Sequence, residues 1–114
     1  MKRGIPDRGD ILHIDLDPSK GHEQRGKRFV LVLSLADFNR FGLILACPVT
    51  QGGEFAREHG FAVSLTGGSA MTQGVVLCHQ VRILDYKQRG ARWVESSPPE
   101  IVEEVLARVR ALLD

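Results

Sequence analysis

Apolar residues along the chain recur at every second position or in short unbroken runs, and only the last segment changes to a period near 3.6. In residues 9–16, Leu12, Ile14 and Leu16 fall on one face, which predicts a strand. Asp17-Pro18-Ser19-Lys20-Gly21 ends it with turn chemistry, and the polar stretch to Lys27 reads as an exposed loop. Residues 29–34, Phe-Val-Leu-Val-Leu-Ser, are continuously apolar and β-forming, so they predict a strand covered on both faces. Asp37 to Arg40 suits one short helical turn. Leu43 to Cys47 predicts a further buried strand ended by Pro48, followed by a polar loop from Gln51 to Gly60 that opens with Gly52-Gly53. Phe61, Val63 and Leu65 alternate with Ala62, Ser64 and Thr66 in a half-buried strand, closed by a turn at Thr66-Gly67-Gly68-Ser69. Gly74 to Leu84 reads as one long strand with Val75, Leu77, His79, Val81 and Ile83 on one side.

The end is helical. Ser97 is placed as N-cap, Pro98 as first helical residue, and Glu100 completes a Ser-x-x-Glu capping box. Ile101, Val102, Val105, Leu106, Val109, Leu112 and Leu113 share a face opposite Glu103, Glu104, Arg108 and Arg110. Many short strands followed by one packed helix predict a mainly β (α+β) fold: a small barrel or strongly bent antiparallel sheet with a C-terminal helix. The length of 114 residues predicts one domain over 1–114, large enough for a core without disulfides or metal. Hydrophobic content of 43% with 25% charged residues argues against disorder. Apolar runs stay short of a membrane span, and the first residues lack the apolar stretch of a secretory signal. Cys47 and Cys78 sit in apolar stretches without C-x-x-C spacing, as expected of buried thiols in a reducing cytoplasm. Net charge is only +1, but residues 1–30 and 82–94 lean basic and the tail leans acidic. A basic body suits a polyanion.

The densest polar cluster is Lys20-Gly21-His22-Glu23-Gln24-Arg25-Gly26-Lys27-Arg28. It combines an imidazole, a carboxylate and permanent cations, the set that RNA strand cleavage requires. One group takes the 2′-OH proton, another protonates the leaving 5′-oxygen, and a cation stabilises the phosphorane. On composition alone the same loop reads as a solvated polar surface. His13, His22, His59 and His79 with Cys47 and Cys78 show no ligand spacing, so no metal site is expected. Trp93 reads as partly buried packing. Phe55 and Phe61 bracket the second polar loop and can stack a base, although Phe61 also fits the core.

Three blocks carry a family resemblance. The first is Gly9-Asp10-Ile11, Asp17-Pro18, Gly21-His22-Glu23-Gln24, Gly26-x-Arg28 and Val32-Leu33-Ser34. The second is Pro48-Val49-Thr50-Gln51-Gly52-Gly53 with Phe55-Ala56-Arg57 and Gly60-Phe61. The third is Gly74-Val75-Val76 with Gln80, Arg82 and Arg89. In order and spacing, over nearly the whole chain, these resemble the MazF/PemK toxin family with its Kid and ChpB branches. The resemblance implies an SH3-like barrel with a C-terminal helix, a homodimer, and a sequence-specific endoribonuclease on single-stranded mRNA. It implies a reaction without metal or cofactor that leaves a 2′,3′-cyclic phosphate and a 5′-hydroxyl. Its implied partner is a cognate antitoxin protein, with DNA reached only indirectly through that antitoxin and no membrane involved.

Residue by residue, the resemblance makes Arg28 and Thr50 the principal catalytic pair, Glu23 the loop carboxylate and His22 the histidine of the Kid branch. It implies RNA contacts at Asp10, Lys20, Gln24, Arg25, Lys27, Gln51, Phe55, His59, Phe61 and Gln80. Two positions depart from the pattern. Leu77 and His79 stand where Kid carries a catalytic Arg and Asp, so that acid–base assignment does not transfer, and His79 becomes a possible catalytic residue. Phe29 stands where the family usually has Pro. A guanidinium stays protonated, so Arg28 suits phosphorane stabilisation rather than base catalysis. His22, Glu23 and His79 remain open as the base. A gyrase-poisoning toxin of the same fold (CcdB-like) is a second reading, against which the ending Ala111-Leu112-Leu113-Asp114 speaks, since that family relies on a Trp-Gly-Ile C-terminus. A non-catalytic SH3-like binding module is a third.

Overall fold

The computed structural model describes residues 4–18, 20–52, 54–66 and 69–114. Ser19, Gly53, Gly67 and Gly68 of the expected turns, and the first three residues, lie outside that set. Seven strands form one antiparallel sheet: β1 (Asp10–Asp15), β2 (Lys27–Val32), β3 (Leu43–Thr50), β4 (Ala62–Ser64), β5 (Val75–Leu77), β6 (Arg82–Asp85) and β7 (Arg92–Ser96). Their order is β4-β5-β3-β2-β1-β7, with β6 paired to the start of β3. No ladder joins β4 to β7 among the described residues, so of the two forms expected the sheet takes the open one. Among the described residues there are three α-helices: α1 (Ala36–Asn39), α2 (Glu54–Glu58) and α3 (Pro99–Ala111). None is long and apolar enough to cross a membrane.

The alternation of β1 and β2 is used on both faces. Leu12, Ile14, Val30 and Val32 join Ile44 and Leu84 in one apolar cluster. Ile11, Leu31, Cys47 and Val49 face the other way, under Ile101, Val102, Val105 and Leu106 of α3. The second cluster holds the helix on the sheet, since each fully buried aliphatic side chain contributes ~1.5–3 kcal/mol. A Glu95 carboxylate on β7 pins the segment before β5. It accepts from the Thr72 hydroxyl at 2.6 Å and from the Met71 and Thr72 amides at 3.0 and 2.7 Å. Burial alone pushes the Glu95 carboxyl up, but these hydrogen bonds outweigh it and hold the group below its ordinary range.

Several expectations are corrected. β3 runs through Pro48 to Thr50 instead of ending there. Its neighbour changes from β6 at Ala46 to β5 at Val49, so Pro48 sits where the ladder on that side is interrupted and a missing N–H costs little. The loop 51–60 contains α2. The long strand 74–84 is two strands separated by a 3-10 turn at Cys78–Gln80. Val76 faces Val49 whereas Arg82 faces Ala46, so six residues of this segment span three of β3, and the surplus coils into the turn. The single-sided alternation is lost with it: Val75 and Leu77 pack on Ala56, but Ile83 is 49% exposed. At the last helix, Pro98 is the N-cap, with φ −54° and ψ 138°, and Ser97 makes no capping box; its hydroxyl donates to the Pro98 carbonyl at 3.2 Å. The residue before a proline avoids the helical region, so Pro99 moves the start one residue later than expected. Leu112 and Leu113 lie past the last helical residue and are exposed.

Candidate active site

The three-residue surplus that breaks the strand at Cys78 turns His79 and Gln80 out of the sheet and into a cleft of about 900 Å³. Its walls are His22, Glu23 and Gln24 of the β1–β2 loop, Pro48 of β3, Glu54 to Ala56 of α2, and Leu77 with His79 to Arg82. Gln80 ties two of these walls together. Its Oε1 accepts from the Gln24 amide at 2.9 Å and its Nε2 donates to the His22 carbonyl at 3.0 Å. The loop is closed locally as well: the Lys20 amide donates to Glu23 Oε1 at 2.6 Å and the Gly26 amide to Asp17 Oδ1 at 3.1 Å. His22 and Glu23 are thereby held on the wall next to His79, although 56 residues separate Glu23 from it in sequence.

Arg28 and Thr50 do not line this cleft but stand on the adjoining face of the sheet. The β2–β3 ladder pairs Phe29 with Val49 and Val30 with Pro48, so one further step sets Arg28 opposite Thr50. Side chains alternate along a strand, which places both on the face that carries Pro48, a residue of the cleft wall. Arg28 is exposed and its Nε donates to the Arg25 carbonyl at 2.9 Å; among the described residues its two Nη nitrogens have no partner. Thr50 Oγ1 accepts from the Gly52 amide at 3.3 Å. Gly74 lets the backbones close in at this point: it has φ +117°, and a Cβ there would lie 2.5 Å from the Thr50 carbonyl oxygen.

Four rings line up along the α2 side. His59 stacks on Phe55 at 4.2 Å, held by its Nδ1 on the Phe55 carbonyl at 2.8 Å. Phe61 stacks on His79 at 4.9 Å, and Phe55 lies 6.0 Å from His79. His79 Nδ1 is buried without a partner, which leaves Nε2 as the nitrogen open to a ligand. Burial lowers the His79 pKa from its ordinary value, so the ring is neutral near pH 7 and carries a free lone pair. The two thiols are inert by the same physics. Burial raises Cys47 strongly, and it pushes Cys78 up to about 11 despite the nearby Arg108 guanidinium.

The remaining candidates divide. Gln24, Phe55 and Gln80 line the cleft, and His59 and Phe61 reach it through the ring contacts. Gln80 spends both ends of its amide on the loop, so it positions rather than offers itself. Lys20 and Arg25 are exposed on the loop, and Gln51 donates to the Gln73 carbonyl at 3.3 Å. Lys27 faces a second hollow. Asp10 does not line the cleft: it is buried, taking the Asp7 amide at 2.8 Å on Oδ2 and Trp93 Nε1 at 3.2 Å on Oδ1. Trp93 is 48% exposed. Glu54 and Arg82 also line the cleft; Arg82 marked the family resemblance without a site role, and Glu54 was not singled out from the sequence. Only the polarity of the 51–60 loop hinted at Glu54. Among the described residues no group of three or more His, Cys, Asp or Glu is arranged to hold a metal ion.

A family model described as a PemK-like, MazF-like toxin of type II toxin-antitoxin systems matches residues 7–113. The chain is 49% identical over 108 residues to the endoribonuclease PemK of Escherichia coli, covering 94% of this chain and 81% of that one. It is 44% identical over 115 residues to the endoribonuclease toxin ChpB of Escherichia coli K12, covering 100% and 99%. In structure it matches MazF from Deinococcus radiodurans with a TM-score of 0.87 and 36% identity, over 96% of both chains. A MazE–MazF structure from the same organism matches at 0.80 with 36% identity, again over 96% of both. With a model spanning almost the whole sequence, close relatives of full length and a shared fold, the chain belongs to the PemK-like, MazF-like family of type II toxins.

Proposed function

We propose that residues 1–114 act as one toxin domain that cleaves single-stranded mRNA endonucleolytically, without metal or cofactor. The observation that carries this reading is the cleft that gathers His22, Glu23 and His79 on its walls, next to the face bearing Arg28 and Thr50. These groups suit transphosphorylation. His79 Nε2, neutral and aimed at the cleft, takes the proton of the 2′-hydroxyl; His22 and Glu23 are the alternative bases. The 2′-oxygen attacks phosphorus and the bond to the 5′-oxygen breaks. His22, on the wall of the same cleft, supplies the proton to the leaving oxygen. The products are a 2′,3′-cyclic phosphate and a 5′-hydroxyl. Arg28 Nη groups neutralise the phosphorane, and the Thr50 hydroxyl holds a non-bridging oxygen. Phe55, His59 and Phe61 offer ring faces to the bases beside the scissile bond, with Gln24, Lys20, Arg25 and Gln51 as further RNA contacts and Lys27 on the other face of the sheet. Asp10 has no place in this account, because its carboxylate is occupied inside the fold.

The MazE–MazF structures support a cognate antitoxin as partner; a homodimer, and an antitoxin that blocks the same groove and through which alone the toxin meets DNA, complete the reading. The deciding experiment is incubation of the purified chain with a long single-stranded RNA in excess chelator. Discrete cuts ending in cyclic phosphate are expected. Cleavage that stops with chelator and returns with a divalent ion would overturn the mechanism, and RNA left intact in both conditions would leave a binding module.

A further inference from the structure

Behind the sheet, on the face opposite Arg28, lies a second hollow of about 340 Å³. β7, β1 and β2 meet there in a row: His13 pairs with Arg92 on one side and with Phe29 on the other, and Asp15 pairs with Lys27. The charges in it are unequal in their commitments. Both carboxylates are held by the protein's own backbone. Asp15 Oδ1 accepts from the Asp17 amide at 3.0 Å, and Asp17 Oδ1 from the Gly26 amide. Of the cations, Arg89 donates to the Asp15 and Asp17 carbonyls at 3.1 and 2.9 Å, whereas Arg92 and Lys27 are exposed and, among the described residues, their side chains have no hydrogen-bond or ion-pair partner. Beside them Phe29 is 37% exposed, its ring edge-on to His13 at 5.2 Å.

We propose that this hollow is an accessory nucleotide site for the RNA strand that flanks the cleft, with Phe29 stacking a base and Arg92 and Lys27 holding phosphate. The proposal rests on the reading of the protein as an RNA-cleaving toxin. Unpartnered cations beside an exposed aromatic ring match the two chemistries of a single-stranded nucleotide, a charged backbone and a π-face. An acidic peptide would use the cations and leave the ring idle. The site is also continuous with the cleft. The β1–β2 connection walls both hollows, with His22 to Gln24 on the cleft side and Asp17 and Lys27 on the other, so a strand leaving the cleft past it reaches the second hollow, which Phe29 adjoins through its contact with His13.

The test uses 2′-O-methylated RNA, which lacks the attacking hydroxyl, in lengths of ~5 and ~16 nucleotides, with binding read by fluorescence anisotropy. Phe29→Ala and Arg92→Ala are each expected to weaken the longer RNA about 10-fold and to leave the shorter one unaffected. Arg92→Ala should also lower the slope of log affinity against log salt by ~0.7. Arg110→Ala, the same charge change on the exposed side of α3, should do neither. Should Phe29→Ala fail to fold, Arg92→Ala still decides, because an exposed unpaired arginine is not needed for the core. Equal affinity of both variants and the wild type for the longer RNA would overturn the site. So would variants that keep RNA but lose a poly-glutamate peptide, which would make the partner an acidic chain. A wild type that binds methylated RNA through these residues yet cleaves no RNA would refute the activity and uphold the site.

Discussion

His79 is the residue on which sequence and structure bear most differently. Alternation in a continuous strand puts it among apolar side chains. The 3-10 turn removes it from that pattern, stacks it on Phe61 and leaves Nε2 toward the cleft. Burial favours its neutral form, so its titration lies below the ordinary histidine value of ~6.5, which suits the role of base proposed for it. The rate should therefore fall on the acid side as this ring becomes protonated, while any alkaline fall belongs to the group that donates the proton. His79→Ala is expected to remove that acid limb from the pH–rate profile and to lower turnover by ~10²–10⁴. An unchanged profile assigns the base to His22 or Glu23. Arg28→Ala and Thr50→Ala should each cost ~10²–10³ in rate, the usual loss for a transition-state donor, with the melting temperature preserved. Both side chains lie outside the apolar clusters, so near-wild-type turnover in a folded variant would move the site elsewhere.

Among the elements, the approach of β5 to β3 decides where Thr50, proposed as catalytic, sits. Gly74 enters β5 with φ +117° and no room for a Cβ, since the Thr50 backbone is in the way. Gly74→Ala strains the backbone and drives it into Thr50 at once. A loss of about 1–3 kcal/mol in urea unfolding is expected, together with lowered turnover from the displaced Thr50. Preserved stability would mean that β5 and β3 are free to separate there. The β1–β2 loop shows the converse arrangement. It belongs to no ladder, yet Gln80 clamps it by two hydrogen bonds to its backbone, so a polar stretch becomes a fixed wall of the cleft.

For the whole molecule, the open sheet leaves apolar groups uncovered at one end: Leu43 is 38% exposed, Ile83 49% and Phe41 78%. A homodimer is the assembly proposed for the chain, and such residues are suited to being covered by a second copy. Light scattering at micromolar concentration should report about twice the 12.6 kDa of the chain. A particle of monomer mass would rule the dimer out.

Much of this protein is decided by short-range patterns. The period-2 runs of β1 and β2 and the 3.6-period of α3 determine the elements, because a strand or helix must bury the stripe its sequence presents. The polar loop at 20–28 and the family blocks marked His22, Glu23, Arg28 and Thr50, because chemistry-bearing residue types stand out locally. What only the tertiary structure decided is register. The switch of β3 from β6 to β5 fixes how many residues of 74–84 are surplus, and so turns His79 and Gln80 into the cleft. The passage of β3 through Pro48 depends on the same interruption, and the occupation of Asp10 depends on Trp93, 83 positions away. The hollow behind the sheet needs three strands brought side by side. Such features belong to pairs of distant segments, and periodicity, which reports only which face of one segment is apolar, carries no information about the partner it meets.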